Sequence, residues 1–333
     1  MHTVVVTGAA GNLGRRVIAG LSASPDVKRV LAVDIVPVPT SGEVETHMLD
    51  LSARGAEEEL AALGKRADGL VHLAWDPEGS ANLGMLERVL DAATLIEPFQ
   101  LVHLSSATVY GAWPDNPVPL TEDAAPRPNS ELAYAVEKRA AECSVERWAA
   151  AHPEVAVAVL RPTCTVGWPS RPLYQALAMR PPPGHDDGRL VQYLHVDDLA
   201  SAVVHTCRHR LSGTYNVAPD NGIREEVAGA LVGGAPPLPL GVKDVVWRWR
   251  LWRRGAPAGA LAYTKHSWVV ASDKLRSSGW QPQYSSEEAL VVSDERAHWD
   301  ELPLSQRHSV AVAGAAAALI GGTCGALWWR RRH

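Results

Sequence analysis

The chain is poor in cysteine and has no strong excess of charge of either sign. Its 333 residues include four cysteines, which form no CxxC pair and stand at no metal-ligand spacing with histidine. That arrangement argues against a disulfide framework and a cysteine-based metal site, and it predicts a reduced, intracellular protein with no bound metal. The formal net charge of −5 provides no overall attraction to nucleic acid, so we expect no nucleic-acid partner.

The sequence also leaves no room for an N-terminal signal peptide, because an apolar strand begins at the third residue, and a cytoplasmic protein is expected. One long uncharged run lies near the other end, at 310–329, and three arginines follow it at 330–332. About 20 apolar residues can span a bilayer. The many alanines and glycines weaken insertion, however, and the arginines would cross against the usual bias. Membrane association of a hydrophobic tail at 309–333 and packing of that tail on the protein or a partner both stay open.

A second segment raises the same question of membrane contact. WRWRLWRR at 247–254 mixes Trp with Arg, and both residue types favour the headgroup region of a bilayer. The alternative is a helix whose Trp side chains pack inward while its Arg side chains face water. Inward packing is the commoner arrangement of a tryptophan stripe, and it is the one we expect here.

The first half of the chain alternates short β-rich runs with helical stretches. Strands are predicted at 3–7, 30–33, 70–74, 101–104 and 155–160, and helices at 12–22, 54–63, 82–96 and 131–151. This alternation is typical of a parallel sheet with helices on both faces. The sequence therefore predicts an α/β fold with a doubly wound parallel sheet.

A glycine-rich turn joins the first strand to the first helix. TGAAGNLG places Gly8, Gly11 and Gly14 in the GxxGxxG spacing. Residues without a Cβ allow backbone N–H groups to approach a pyrophosphate at a helix N-terminus. Asp34 ends the second predicted strand, where its carboxylate can accept hydrogen bonds from both ribose hydroxyls of an adenosine and repel a 2′-phosphate. Together the turn and Asp34 predict NAD rather than NADP as cofactor.

These motifs, in this order, resemble the extended short-chain dehydrogenases/reductases of the NAD-dependent epimerase/dehydratase family over about residues 3 to 300. Asp50 resembles the family's acidic residue at the adenine edge, the segment at 72–74 resembles the one that lines the cofactor, and Asn82 resembles the family's helix asparagine. The cofactor-binding residues implied by the motifs and the resemblance are Gly8, Gly11, Asn12, Leu13, Gly14, Asp34, Asp50, Leu51, Leu73, Ala74, Asn82, Tyr134 and Lys138.

YAVEK at 134–138 carries the predicted acid–base chemistry. Tyr134 and Lys138 are four residues apart on a predicted helix, so both project from one face. The pKa of tyrosine is near 10, and a neighbouring ammonium stabilises the phenolate and lowers that pKa toward the working range. The family resemblance implies that Tyr134 exchanges the substrate proton while hydride passes to or from NAD. It also implies that Lys138 holds the nicotinamide ribose and that Ser106, in LSSATVYG, polarises the substrate oxygen.

The resemblance also implies how the chain divides. Residues 1–165 are expected to form the NAD-binding Rossmann domain, to which 191–218 return. A smaller C-terminal substrate-binding part is expected at 166–190 and 219–305, where prolines and glycines interrupt the pattern. A homodimer built from helices beside the active site is expected from the resemblance alone.

The chain departs from the sugar-nucleotide enzymes of the family at two places. Cys164 stands where they usually have asparagine, and Val191 and Gln192 stand where an arginine often holds the diphosphate. A diphosphate needs fixed cationic partners. Candidates for that role are Arg171, Arg180 and Arg189.

Three functions are therefore open for this small-molecule site. The first is an NAD-dependent oxidoreductase acting on a secondary alcohol or ketone. A small or apolar substrate is plausible for it, because such a substrate needs no arginine to hold a diphosphate. The second is a sugar-nucleotide epimerase or dehydratase that returns the hydride within one turnover. The third is an NAD-binding sensor without turnover, which the presence of Ser106, Tyr134 and Lys138 disfavours.

Overall fold

A computed structural model describes residues 2–39, 44–76, 81–167, 188–219, 222–231, 245, 249, 252, 256–257 and 259–297. The strands of the described residues are β1 Thr3–Thr7, β2 Arg29–Asp34, β3 Val44–Met48, β4 Gly69–His72, β5 Gln100–Leu104, β6 Ala156–Pro162, β7 Cys164–Val166, β8 Leu190–Val191, β9 Tyr193–His195, β10 Gly213–Val217 and β11 Ile223–Arg224. Seven of them form a parallel sheet in the order β10-β6-β5-β4-β1-β2-β3. The predicted doubly wound α/β fold is confirmed.

Helices cover both faces of this sheet. They are α1 Asn12–Ser22, α2 Ala56–Leu63, α3 Asn82–Ile96, α4 Ala133–Ala151, α5 Val196–Arg208, α6 Glu225–Leu231, α7 Ala260–Lys265, α8 Asp273–Ser277 and α9 Ser286–Ala297, with a short 3-10 helix at Ala107–Tyr110. One face packs its apolar side chains against α1 and α5, and the other packs against α2, α3 and α4. Each fully buried Leu or Val in these layers contributes roughly 1.5–3 kcal/mol relative to an exposed position.

The register of the central strands brings the chemistry to one edge. Thr7 of β1 pairs with His72 of β4, which in turn pairs with His103 of β5. Because parallel strands all end at the same edge of a sheet, the segments that follow β1, β2, β4 and β5 lie side by side there. In an open α/β sheet this carboxyl edge, at the point where the strand order reverses, is where ligands bind.

The part of the chain after β6 joins the sheet through specific polar contacts. β7 pairs with β9 and β8 pairs with β11, each apart from the main sheet. The carboxylate of Asp198, in the first turn of α5, accepts the backbone N–H groups of Gln283 and Tyr284 at 2.7 and 3.1 Å. The N-cap of α5 is His195, whose Nδ1 accepts the Asp197 N–H, so neither Asp197 nor Asp198 is the N-cap of this helix. Asp198 instead ties α5 to the segment before α9.

Several sequence predictions fall outside the described residues. These are the tail at 309–333 and its apolar run at 310–329, most of the segment at 247–254, and Arg171 and Arg180. Among the described residues, none of the helices combines the length with the apolar character that a membrane span requires. The exposed fractions of Trp249 and Trp252 are 50% and 75%, which differs from the inward packing expected for them.

Candidate active site

The glycine turn after β1 is too tight for side chains. Gly8 has a φ of +71°, and a Cβ built on it would lie 2.5 Å from the backbone nitrogen of Ala74. A Cβ on Gly14 would lie 2.2 Å from the carbonyl oxygen of Gly8, whereas one on Gly11 would meet that same oxygen at 3.2 Å. Gly11 is the N-cap of α1 and has no side chain that could accept the first-turn N–H groups of the helix. The turn therefore offers backbone donors at a helix N-terminus, which suits a phosphate.

Asp34 holds this turn from the neighbouring strand. Its Oδ2 accepts the N–H of Ala10 at 2.9 Å, and its Oδ1 accepts the N–H of Val36 at 3.4 Å. Asp50 lies on the next loop, where its Oδ1 accepts both the hydroxyl of Ser52 at 2.6 Å and the Ser52 N–H at 2.8 Å. These two bonds lower the pKa of Asp50 below its ordinary value. Asp34 thus lies at the end of β2, where an adenosine ribose binds in dinucleotide folds, and Asp50 follows the neighbouring strand β3.

A cleft of about 640 Å³ runs along this edge of the sheet. The predicted residues on its wall are Gly8, Gly11, Asn12, Leu13, Gly14, Asp34, Asp50, Leu51, Leu73, Ala74, Tyr134 and Lys138. At one end the wall is the glycine turn with the two carboxylates, and at the other end it is the pair from α4. The volume, the backbone donors and the carboxylate at the ribose position fit a dinucleotide such as NAD, which requires all three.

The pair from α4 meets a tryptophan at the far end of the cleft. Nζ of Lys138 donates to the carbonyl oxygen of Leu104 at 2.9 Å and lies 3.5 Å from the centroid of the Trp75 ring. It lies 5.9 Å from the centroid of the Tyr134 ring. The rings of Trp75 and Tyr134 meet edge to face, with centroids 5.6 Å apart. Tyr134, Lys138 and Trp75 therefore form one contact group, as the spacing of YAVEK predicts for the first two.

Two predicted residues lie outside the wall of this cleft. Asn82 is buried, and its amide bonds both the N–H and the carbonyl oxygen of Asp76, and also Glu137. Its position is therefore one that holds the loop after β4. Ser106 is also buried, and its Oγ accepts the N–H of Thr108 at 3.2 Å and the hydroxyl of Thr108 at 2.9 Å. Because Ser106 is the acceptor in both bonds, its own O–H is left to donate.

Two neutral histidines lie on the sheet beneath α4. His72 and His103 stack with ring centroids 5.8 Å apart, and Nδ1 of His72 bonds the hydroxyl of Thr7 at 2.8 Å. Burial lowers the pKa of His72 to about 3, with a smaller effect from the charge of Lys138. The same two causes lower the pKa of His103 well below its usual value. The layer beneath Lys138 is therefore uncharged at neutral pH.

A buried ion pair supports the segment after β5 that carries Ser106. Ser105 donates to Oε1 of Glu142 on α4 at 2.5 Å, and Glu142 also accepts two bonds from Arg161 on β6. Arg161 in turn donates to the hydroxyl of Tyr110 at 2.8 Å. These groups connect α4, β6 and the 3-10 helix directly behind the site. A fully hydrogen-bonded network of this kind fixes the elements that it joins.

Sequence reasoning missed part of the cleft wall. The missed residues include Ala10, Ile35, Val36, Leu49, Ser52, Trp75, Asp76, Ala81, Met85 and Leu104. Most of them directly neighbour a predicted residue in the sequence. Trp75 had a usable signal, since it follows the HLA segment at the end of β4, where strand ends meet the ligand. Among the described residues, no group of three or more His, Cys, Asp or Glu side chains is placed to hold a metal ion.

Comparisons with known proteins identify the family by a family model and the fold by solved structures. A family model described as NAD dependent epimerase/dehydratase matches residues 4–218. An uncharacterized protein of Mycobacterium tuberculosis is 27% identical over 315 residues, which cover 86% of this chain and 82% of that protein. The UDP-glucose 4-epimerase of Thermus thermophilus, solved in complex with NAD, has a TM-score of 0.67 at 20% identity and covers 90% of this chain and 99% of its own. The dTDP-glucose 4,6-dehydratase of Bacillus anthracis, also solved with NAD, has a TM-score of 0.66 at 16% identity and covers 90% and 98%. At these identities the two solved structures show a shared fold.

Proposed function

The chain belongs to the NAD-dependent epimerase/dehydratase family, and from this premise we propose that it transfers hydride between NAD and a secondary alcohol or ketone, with Tyr134 as the acid–base group. Family membership confirms the predictions of an NAD-dependent enzyme. The proposal for its chemistry is supported chiefly by one observation. The same cleft has the glycine turn and Asp34 at one end and Tyr134 with Lys138 at the other.

The residues divide the work between binding and proton transfer. NAD, when bound, supplies a nicotinamide carbon that accepts or donates the hydride. The glycine turn binds its pyrophosphate with backbone N–H groups, and Asp34 accepts from the adenosine ribose. Lys138 is 4% exposed and is fixed by the Leu104 carbonyl, so its ammonium acts on Tyr134 with little screening by water.

Tyr134 is the group that transfers the proton, and Lys138 and Ser106 assist it. In the oxidative direction the Tyr134 phenolate takes the proton of the substrate hydroxyl as the hydride leaves the same carbon. In the reverse direction the Tyr134 phenol returns that proton to the carbonyl oxygen. Lys138 stabilises the phenolate form, which brings the pKa of Tyr134 toward the working range. Ser106 donates its remaining O–H to the substrate oxygen and stabilises the charge that develops there.

The substrate part is proposed at 166–190 and 219–305. Arg189 is the described residue among the three arginine candidates for holding a diphosphate, and its contacts favour a substrate without a diphosphate. Arg189 is buried, where it forms an ion pair with Glu225 and donates to the carbonyl oxygen of Tyr263 at 2.9 Å. A diphosphate would have to compete with these contacts for the guanidinium. A small or apolar alcohol or ketone makes no such demand and is the substrate class we propose.

A sugar-nucleotide epimerase or dehydratase is the second candidate. It is favoured by the similarity in fold to enzymes that, by name, act on UDP-glucose and dTDP-glucose. The first half of such a reaction uses the same cleft and the same Tyr134. The hydride then returns to the substrate within one turnover instead of leaving with the cofactor.

One assay separates these candidates. The full chain is incubated with NAD and a panel of small hydroxy compounds, sterols and sugar nucleotides, and both NADH absorbance and product are measured. An oxidoreductase forms NADH in proportion to product, whereas an epimerase forms product without net NADH. Tyr134→Phe is expected to lower turnover about 10²–10⁴-fold while NAD binding is kept, because only the proton-transfer group is removed. Turnover that survives this substitution contradicts the role of Tyr134, and NAD binding without turnover on any compound supports the sensor.

A further inference from the structure

Trp75 lines the cleft, but the proposed reaction gives it no role. It follows β4 directly after the HLA segment and lines the far end of the cleft. The Nζ atom of Lys138 lies 3.5 Å from the centroid of its ring, and Tyr134 meets the same indole edge to face at 5.6 Å. Trp75 is therefore in contact with both members of the proposed acid–base pair.

The contact with Lys138 is favourable for a specific reason. The face of an indole carries partial negative charge, which attracts a cation, and the attraction strengthens when the cation has lost its water. Lys138 is 4% exposed, so its ammonium has lost nearly all of its contact with bulk water. The Leu104 carbonyl oxygen, at 2.9 Å, binds the same ammonium from the end of β5. Two fixed groups from neighbouring strand ends thus hold the charge in one place.

We propose that Trp75 is a positioning residue of this site, whose indole holds the Lys138 ammonium and thereby governs proton transfer at Tyr134. This inference rests on the proposed function, in which Lys138 stabilises the Tyr134 phenolate. If the Trp75 indole is lost, the Lys138 ammonium is held less firmly in place. Its charged form is also less strongly favoured over the neutral amine. Both changes weaken the stabilisation of the phenolate, so the pKa of Tyr134 rises.

Other titratable groups lie close to Lys138 and Tyr134. His72 and His103 face Lys138 from β4 and β5 and are neutral at pH 7 and above, because burial lowers their pKa values. Asp76 lies on the loop after β4, and Glu137 lies on α4, where burial raises its pKa. The two histidines therefore do not change charge in the range of about pH 7 to 10 in which Tyr134 is expected to titrate. A shift of the turnover midpoint in that range therefore reports on Tyr134 and Lys138.

The contact itself can be measured without cofactor or substrate. The full chain is labelled with ¹³C,¹⁵N-lysine, and the Lys138 signals are identified by their loss in Lys138→Met. Protons held over an indole face shift upfield, so the Hε and Nζ–H signals of Lys138 are expected upfield of those of the other lysines. Trp75→Phe should keep part of that shift and Trp75→Leu should lose it. Trp113→Leu is the matched control, since Trp113 stacks on Arg127 at 5.8 Å and does not line the cleft.

The consequence for chemistry is measured as a pH profile. With a substrate found in the panel, the pH of half-maximal oxidative turnover is expected to rise by about half a unit or more in Trp75→Leu. A smaller rise is expected in Trp75→Phe, whose ring still presents an aromatic face. Trp113→Leu should keep the wild-type midpoint.

Failure of this inference is distinct from failure of the proposed function. Unchanged Lys138 signals in Trp75→Leu, or a lower turnover with an unchanged pH midpoint, overturn the role of Trp75 and leave the proposed function intact. Turnover that survives Tyr134→Phe overturns the proposed function and, with it, the effect of Trp75 on proton transfer.

Discussion

Arg161 donates from Nε and Nη2 to the two carboxylate oxygens of Glu142, each at 2.8 Å, and both side chains are almost fully buried. This parallel pair joins β6 to α4, the helix that carries Tyr134 and Lys138. Glu142 also accepts from Ser105, the residue before Ser106. One ion pair therefore fixes α4, from which both proposed acid–base groups project, together with the segment that carries Ser106.

Removing one partner of this pair should be costly. In Glu142→Gln the Arg161 guanidinium stays buried without its counter-charge, and loss of a buried partner costs about 3–5 kcal/mol. Urea unfolding of the variant should show a fall of that size in the free energy of unfolding. Glu146→Gln is the control, because Glu146 contacts Arg139 on the surface and should change stability by less than about 1 kcal/mol. Equal effects of the two substitutions would contradict this account.

We expect Gly14→Ala to weaken NAD binding and to destabilise the fold, because the glycine turn has no room for a side chain. The added Cβ would lie 2.2 Å from the Gly8 carbonyl oxygen, which is backbone and cannot turn aside. The turn must open, so NAD binding measured by calorimetry should weaken at least about tenfold, equivalent to about 1.4 kcal/mol. Gly229→Ala is the matched control, since a Cβ there meets nothing within 4 Å. It lies in α6, where alanine should stabilise by up to about 1 kcal/mol.

Asp34 predicts the choice between NAD and NADP. Asp34→Asn keeps an oxygen that can accept from the Ala10 N–H at the 2.9 Å position but removes the negative charge. The repulsion of a 2′-phosphate is then lost, so the ratio of NAD to NADP affinity should fall by about tenfold. Calorimetric titration of both cofactors measures it, with the surface variant Asp26→Asn as control. A ratio that does not move would show that Asp34 has no part in the selection.

The sequence predicts the centre of the fold well because its strands are buried on both faces. The strands β1, β2, β4, β5 and β6 contain short, nearly continuous runs of Val, Leu and Ala. Such runs are typical of strands that are buried on both faces of a parallel sheet, so they can be recognised in the sequence. The edge strand β3, VETHM, was missed because it is largely exposed and carries polar residues. Strand β10 was also missed, since GTYNV has only one β-branched apolar residue and joins the sheet far along the chain.

The site is predicted less completely than the fold for a similar reason. Gly14 and Asp34 are identified by local geometry, because a turn and a strand end place them by themselves. Trp75 reaches Lys138 only because α4 returns over the end of β4, and that approach is a long-range property of the fold. The same holds for the bond that the amide of Asn82 donates to Glu137 of α4, 55 residues along the chain. Spacing along the chain contains no information on either contact.

The two histidines beneath α4 predict how stability depends on pH. The pKa of His103 is well below its usual value of 6.5 in the folded chain, because the ring is buried and lies near Lys138. Below pH 6.5 the unfolded chain therefore binds a proton that the folded chain does not. The contribution of this histidine to the free energy of unfolding is fully present above pH 6.5. It is lost as the pH falls, at up to about 1.4 kcal/mol per pH unit for each such histidine. His72, with a pKa of about 3, contributes in the same direction over the window from 6.5 down to 3.

His103→Phe should remove one of these contributions. Both ring nitrogens of His103 are buried without a hydrogen-bond partner among the described residues, so phenylalanine can take the place of the ring without leaving a polar group unpaired. Between about pH 7.5 and 5.5 the free energy of unfolding, from urea titrations, should fall by about 1.4 kcal/mol less in this variant than in the wild type. His2→Asn, on the surface, should follow the wild-type curve. Parallel curves for His103→Phe and the wild type would mean that His103 is protonated equally in the folded and unfolded chains, contrary to the burial that lowers its pKa.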